Sequence, residues 1–216
     1  MKLVSPNAPA SPGGPKRKRG RGADPAEMKR SLTDAAFTSI RTLGFRGTTA
    51  RSIASLADCN QAAIYYHFDG IDSLLLQALQ QSSQERLHRY RHTLAQPSEN
   101  LSALIATLEG LYHEDRASGH LELLAELMGG VTARPELGPG IDASTHEWLS
   151  FIEEQITRAV APLPLGAMMP AADLADLLLS LVVGLELRNK VDGKSDRSDR
   201  LFRLAALAAS WVDSQP

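Results

Sequence analysis

The sequence predicts an all-α fold, and three observations carry that expectation. Beyond residue 24, apolar residues recur at three- and four-residue spacing along almost the whole chain. Leu and Ala abound while aromatic residues make up only 5%, a balance that favours helices over strands. Gly, Pro and capping residues interrupt the apolar runs at helix-length intervals. At 216 residues the chain can bury a substantial core as one domain or two. No apolar run reaches the roughly 18 residues of a membrane span. The nearest, from Ala172 to Leu187, is interrupted by Asp173, Asp176 and Glu186. The opening MKLVSPNAPASPGG lacks the apolar core of a signal peptide, and a single cysteine, Cys59, excludes an internal disulfide. A soluble, cytoplasmic protein without membrane contact is expected.

Residues 1–24 are rich in Pro, Gly, Ser and Ala and are expected to form a disordered tail. Within it, Lys16, Arg17, Lys18, Arg19 and Arg21 make a basic run suited to a nucleic-acid backbone or minor groove; a solvated tail is the plain alternative. The charge of the whole chain hides an asymmetry. Residues 1–70 hold eleven of the 23 Lys and Arg and five of the 25 Asp and Glu, net +6; the remainder, with 12 against 20, is net −8. A basic front and an acidic body fit an anionic polymer bound at one end.

From Pro25 a helix is expected to run to Leu43, with Met28, Leu32, Ala35, Ala36, Phe37 and Ile40 on its apolar stripe and Gly44 as its stop. Thr49 then caps a short helix whose apolar face is Ile53, Leu56 and Ala57, and Asn60 caps a second helix three residues after Ala57. Only Asp58 and Cys59 lie between, so the turn needs a residue that tolerates positive φ, which Asp58 does. The product is a helix-turn-helix. Ile64 and Phe68, one turn apart, hold the second helix inward, which leaves Gln61, Ala62, Tyr65 and Tyr66 free. An amide that can pair with adenine, a small residue that permits close approach, and two phenols make a plausible groove-reading surface.

This segment resembles the DNA-binding motif of the tetracycline-repressor (TetR) family of bacterial regulators. The residues that carry the resemblance are Thr48 and Thr49, Ile53 and Ala54, Asp58, the run Tyr65-Tyr66-His67-Phe68, and Leu74 with Leu75, within residues 30–79. Two positions depart from the family pattern: Asp58 stands where glycine is usual, and Ile71 where a phosphate-contacting lysine is usual. The resemblance implies base contacts from Gln61 and Tyr65 and phosphate contacts from Thr49, Tyr66 and His67. Arg51, Asn60 and Ala62 complete the expected surface.

After Asp69-Gly70, a long helix is expected from Ile71 to Leu94 through Leu74, Leu75, Leu79 and Leu87, about 36 Å long. Pro97-Ser98 supplies a stop and a new cap before the stripe Leu101, Leu104, Ile105, Leu108, Leu111 and Tyr112. Further helices are expected over residues 118–128, over 135–161 with irregularity near Gly138, over 170–189 and over 195–212, about nine in all. The last two are apolar on more than one side, so each has a second face to bury. The resemblance implies a homodimer through that face, with Leu178, Val182, Leu185, Leu201, Leu204, Ala205, Ala208 and Trp211 as its expected residues. It also implies a small-molecule effector site inside the body, for which Leu104, Leu108, Tyr112, Leu124, Met128, Trp148, Phe151, Ile152 and Glu186 are the candidates. The same residues would otherwise be ordinary core.

Catalytic signals are weak. His88 and His92 have metal-ligand spacing, but Arg86, Arg89 and Arg91 surround them and repel a divalent ion. His113, Glu114, Asp115 and His120 lack an accompanying zinc motif and read as solvated helix ends. Cys59 reads as packing rather than as a redox sensor. No phosphate loop, nucleophile elbow or carboxylate pair is present, so neither an enzyme nor a cofactor is expected. The expected organisation is a basic tail (1–24), a helix-turn-helix DNA-binding domain (25–70) and a helical ligand-binding and dimerisation domain (71–216). What the resemblance implies is a ligand-responsive repressor that binds a near-palindromic double-stranded operator. The rival is an architectural DNA binder that relies on the basic tail.

Overall fold

A computed structural model describes residues 24–160, 170–194 and 196–215, and among them the chain forms nine α-helices, one 3-10 turn and no strand. The helices are α1 Pro25–Gly47, α2 Ala50–Leu56, α3 Ala62–His67, α4 Gly70–Thr93, α5 Leu101–Ser118, α6 His120–Gly130, α7 Gly138–Val160, α8 Ala171–Asp192 and α9 Arg197–Asp213. The basic tail, Lys16 to Arg21, and Ser195, where the last helix was expected to begin, lie outside the described residues.

Local chemistry explains most of the boundaries. Asp24 caps α1 by accepting from the Ala26 amide (3.1 Å), with Pro25 at the first helical position, where its missing N–H costs nothing. Gly44 does not stop this helix. It kinks it, at φ 70°, and the helix resumes to Gly47. At α2 the cap is reciprocal: Thr49 Oγ1 accepts from the Ser52 amide (3.1 Å) and Ser52 Oγ accepts from the Thr49 amide (2.9 Å). Asp58 is the one positive-φ residue other than glycine among those described, at φ 49°, as the two-residue turn requires. Asn60 Oδ1 accepts from the Ala63 amide (3.0 Å), so Asn60 caps from just outside and α3 proper begins at Ala62. Asn100, not Ser98, caps α5, accepting from the Ala103 amide at 2.8 Å. Ser118 ends α5 instead of opening the next helix, and Gly119 turns the chain at φ 83° into α6.

The largest core runs through the amino-terminal three helices and on into the body. Leu32, Ala36, Ile40, Ile53, Ile64, Leu74, Leu75, Leu123, Leu127 and Leu137 pack together, all without appreciable exposure. The core therefore crosses the boundary expected at residues 70/71, with α4 and α6 as the bridging elements. Ile71 packs against it too, so at the position where a phosphate contact was missing there is an apolar anchor instead. Ser39 Oγ donates to Thr48 Oγ1 (3.2 Å) and lies 3.1 Å from Ser52 Oγ, tying α1 to the start of α2 in a buried hydroxyl cluster. A second, smaller core of Leu87, Leu94, Leu111, Trp148 and Phe151 lies farther from the helix-turn-helix. Near Gly130 the two ends approach so closely that an added Cβ would fall 2.7 Å from the Phe45 ring, and only glycine fits there without the ring moving.

Candidate functional site

Two features converge on function: an exposed polar surface on α3 and an internal cavity in the body. On α3, Ile64 is fully buried and Ala63 and Phe68 are half-buried against the core, so the rest of the short helix faces outward. Gln61 and Ala62 are exposed, Tyr65 is 61% and Tyr66 83% exposed, and His67 is half-exposed with its ring edge-on to Tyr66 at 4.9 Å. Thr49, Arg51 and Asn60 are exposed beside them. Large exposed phenols are uncommon on a surface with no partner, and here they sit beside a donor-acceptor amide and a methyl side chain. Phenol and amide groups on α3 and its cap, with the Arg51 guanidinium of α2 also exposed, are the chemistry that reads groove edges and phosphates. Cys59, in the preceding turn, is half-buried against the core. Burial and the nearby Asp58 charge push its thiol up, away from a reactive thiolate.

The cavity, of about 350 Å³, lies among α4 to α9. Leu104, Leu108, Tyr112, Leu124, Trp148, Phe151 and Ile152 line it, as do Ser83, Arg86, Tyr90, Leu94, Leu101, Ile105, Leu121, Thr145, Gln155, Ile156, Ala159, Leu178, Leu179, Val182 and Phe202. Met128 does not. It lies one turn beyond Leu124 on the same face of α6, past the cavity lining, and packs against the amino-terminal core that Leu124 also joins. Glu186 stands behind the wall, accepting from Tyr112 Oη at 3.1 Å with Arg116 Nε 3.4 Å away. Burial and the Glu186 charge push the Tyr112 phenol up to about 12, so it stays a neutral donor.

A buried ionic cluster closes one end of the cavity. Asp115 has no exposure; Arg86 Nε and Nη2 each approach its Oδ2 at 2.8 Å, Tyr90 Oη donates to the same oxygen at 2.9 Å, and Arg89 pairs with Oδ1. The Arg86 guanidinium also lies over Trp148, 4.4 Å from the ring centroid, and Tyr90 packs edge-on against the same indole. Asp115 was expected at a solvated helix end and is instead an interior anchor. Its position continues the stripe Leu104, Leu108, Leu111 at helical spacing, and that was the signal available in the sequence. His120 is likewise drawn in, bonded to Ser82 and edge-on to Phe37 at 5.4 Å. Burial and then the Arg86 charge pull its pKa down.

A polar latch joins the body to the kink in α1. The kink frees the Phe45 amide, and Glu126 on α6 accepts from it at 2.6 Å while pairing with Lys190 of α8, also at 2.6 Å. Burial alone would raise the Glu126 carboxyl, but the hydrogen bonds from Lys190 and from Phe45, with the Lys190 charge, hold it below its ordinary value. A lowered carboxyl contributes stability at pH above the unfolded value of about 4.3, and loses that contribution as pH falls through the folded value. A lowered histidine acts in the same sense, with stability present above about pH 6.5 and lost below as His120 takes up a proton. Thermal midpoints are therefore expected to fall from pH 7 to pH 4, and Glu126→Gln with His120→Asn should flatten that slope. An unchanged slope in the double variant would show that other groups carry the acid sensitivity.

The exposed apolar residues of the last two helices form a third feature. Leu177, Leu178 and Leu181 on α8 and Leu201, Leu204, Leu207 and Trp211 on α9 are exposed, Trp211 to 67%. Ala208 is exposed as well, and Ala205 half-buried. Leu185 is buried within the chain, and Val182 and Leu178 reach the cavity wall, so the face expected from the sequence divides between inside and outside.

These features define an all-α helix-turn-helix protein whose body encloses a cavity. Residues 32–78 match the family model of the bacterial regulatory proteins, tetR family. Solved structures share the fold. A transcriptional regulator of the TetR family from Agrobacterium tumefaciens has a TM-score of 0.72 at 16% identity, covering 86% of this chain and 99% of that one. A transcriptional regulator from Rhodococcus sp. Rha1 gives 0.65 at 21%, covering 87% and 99%. The fatty acid degradation regulator FadR from Bacillus halodurans gives 0.67 at 16%, covering 88% and 95%. No curated protein matches the chain in sequence. The family match covers the helix-turn-helix and the start of α4, and the solved structures show that the rest of the chain shares their fold. No helix among the described residues is long and apolar enough to cross a membrane.

Proposed function

We propose that this protein is a homodimeric, ligand-responsive transcriptional repressor that places α3 of each subunit in a major groove of a near-palindromic operator. The observation that carries this reading is the outward set on α3. Gln61, Ala62, Tyr65 and Tyr66 are all exposed on a helix held inward by Ile64, within the segment that matches the family model. Gln61 and Tyr65 make the base contacts; Thr49, Arg51, Tyr66 and His67 hold the backbone. Two such helices read half-sites about 34–36 Å apart. The exposed leucines and Trp211 of α8 and α9 meet their counterparts in the second subunit, since a contiguous apolar face of this kind is seldom left to water.

The cavity is the effector site, and α4 and α6 are the connecting bars. α4 has one end on the cavity, Arg86, Tyr90 and Leu94, and the other in the core beneath the helix-turn-helix, Leu74 and Leu75; α6 lines the cavity with Leu121 and Leu124 and joins that core through Leu123, Leu124 and Leu127. A ligand that fits better when the two recognition helices are misaligned shifts the dimer off DNA by no more than its differential affinity.

The test is fluorescence anisotropy on the gene's own upstream DNA and on an unrelated duplex of equal length, near physiological salt. A preference of about a hundredfold or more is expected; equal affinity for both would overturn the reading. Leu204→Glu is expected to yield monomers in sedimentation velocity and to weaken operator binding at least tenfold. A variant that remains dimeric would move the interface away from α9.

A further inference from the structure

The lining of the cavity narrows the chemistry of its ligand, and the argument rests on the effector-site reading given above. Among the described residues on the wall, Arg86 is the only charged one. Its charge is already matched. Two of its nitrogens reach Asp115 Oδ2 at 2.8 Å, and that carboxylate is fully buried and further held by Arg89 and Tyr90. A ligand carboxylate would have to displace Asp115 from this cluster or lie unpaired against leucines, and burying an unpaired charge is strongly unfavourable. A ligand cation fares no better. Among the described residues no carboxylate lines the wall, and the Trp148 face, the ring type that attracts a cation most strongly, carries the Arg86 guanidinium at 4.4 Å.

One polar request remains open. The Trp148 indole is nine-tenths buried on the wall, and its Nε1–H has no hydrogen-bond partner among the described residues. Buried donors are nearly always paired, and an unpaired one beside a cavity marks a place for an acceptor. A volume of about 350 Å³ equals that of about a dozen waters at roughly 30 Å³ each.

We infer that the cavity takes an uncharged, mainly hydrocarbon molecule of about a dozen non-hydrogen atoms, with one oxygen acceptor for the Trp148 indole N–H. Alcohols, ketones, esters and lactones belong to this class; fatty acids and alkylammonium ions do not.

Isothermal titration of the full chain with 1-decanol, decanoate and decylammonium compares the three head groups on one tail. Decanol is expected to bind at least tenfold more tightly than either ion. Trp148→Phe should weaken decanol about five- to tenfold, and Leu108→Trp, which fills the cavity, should remove binding. Ile152→Trp repeats that control from another helix if Leu108→Trp does not fold. Tighter binding of decanoate or decylammonium would overturn the proposed chemistry while leaving the cavity as the effector site. Unchanged decanol affinity in Trp148→Phe would overturn the acceptor assignment. Failure of all three probes to bind, or decanol binding that survives both cavity-filling variants, would overturn the effector-site reading and this inference with it.

Discussion

Asp115→Ala should cost about 3–5 kcal/mol of folding stability, among the largest single losses available to this chain. The cause is what it strands. Arg86 is nearly as buried as its partner, so removing the carboxylate leaves a guanidinium without its counter-charge in an apolar wall and the Tyr90 hydroxyl without its acceptor. For a protein of this size, about 2–4 °C per kcal/mol puts the fall in thermal midpoint at about 6–20 °C. Replacing both partners, Asp115→Leu with Arg86→Met, should recover much of the loss, because apolar residues of similar volume remove the stranded charge as well as the pair. A midpoint in Asp115→Ala within 2 °C of the parent protein would show that water reaches the cluster and screens it.

Ile64→Ala should act on the other end and differently. Ile64 is fully buried and is the main anchor of a helix only six residues long, flanked by the half-buried Ala63 and Phe68. A buried isoleucine cut to alanine costs about 2–5 kcal/mol, and a helix this short has little internal stability to set against the loss. Local opening of α3 is the expected result, with amide exchange accelerated over residues 60–68 while the helices around the cavity keep their protection. Operator binding should fall at least a hundredfold. Global unfolding with uniform loss of protection would show instead that α3 and the body share one cooperative unit, which the continuous core from Leu32 to Leu137 also allows.

The contrast between these residues shows what was legible in the sequence. The helix-turn-helix was, because its determinants are local: a reciprocal cap at Thr49 and Ser52, a turn residue suited to positive φ at Asp58, and Ile53 and Ile64 at helical spacing. The apolar stripe over residues 104–112 pointed inward for the same reason. Asp115 was legible only in its spacing, which continues Leu104, Leu108 and Leu111; beside His113 and Glu114 it looks like part of a polar helix end. Its burial depends on Arg86 and Arg89, which approach from another helix 29 and 26 residues away. Met128 fails in a related way. Periodicity says that it is buried, and it is partly so, but only the packing of α6 decides whether it meets the amino-terminal core or the cavity. Gly44 was read as a stop because nothing local announces that Glu126, 81 residues from Phe45, will hold the amide freed by a kink.

The central claim is that α3, and not the basic tail, selects the DNA. The most direct measurement compares three proteins by anisotropy on operator and unrelated duplexes over a range of salt. They are the parent chain, Gln61→Ala with Tyr65→Ala, and a chain lacking Lys16 to Arg21. If α3 reads the groove, the double variant loses the hundredfold preference while keeping most of its affinity for unrelated DNA. Tail removal then weakens both duplexes alike, with a salt slope shallower by up to about four or five. Preference that survives in the double variant and vanishes with the tail would contradict the account.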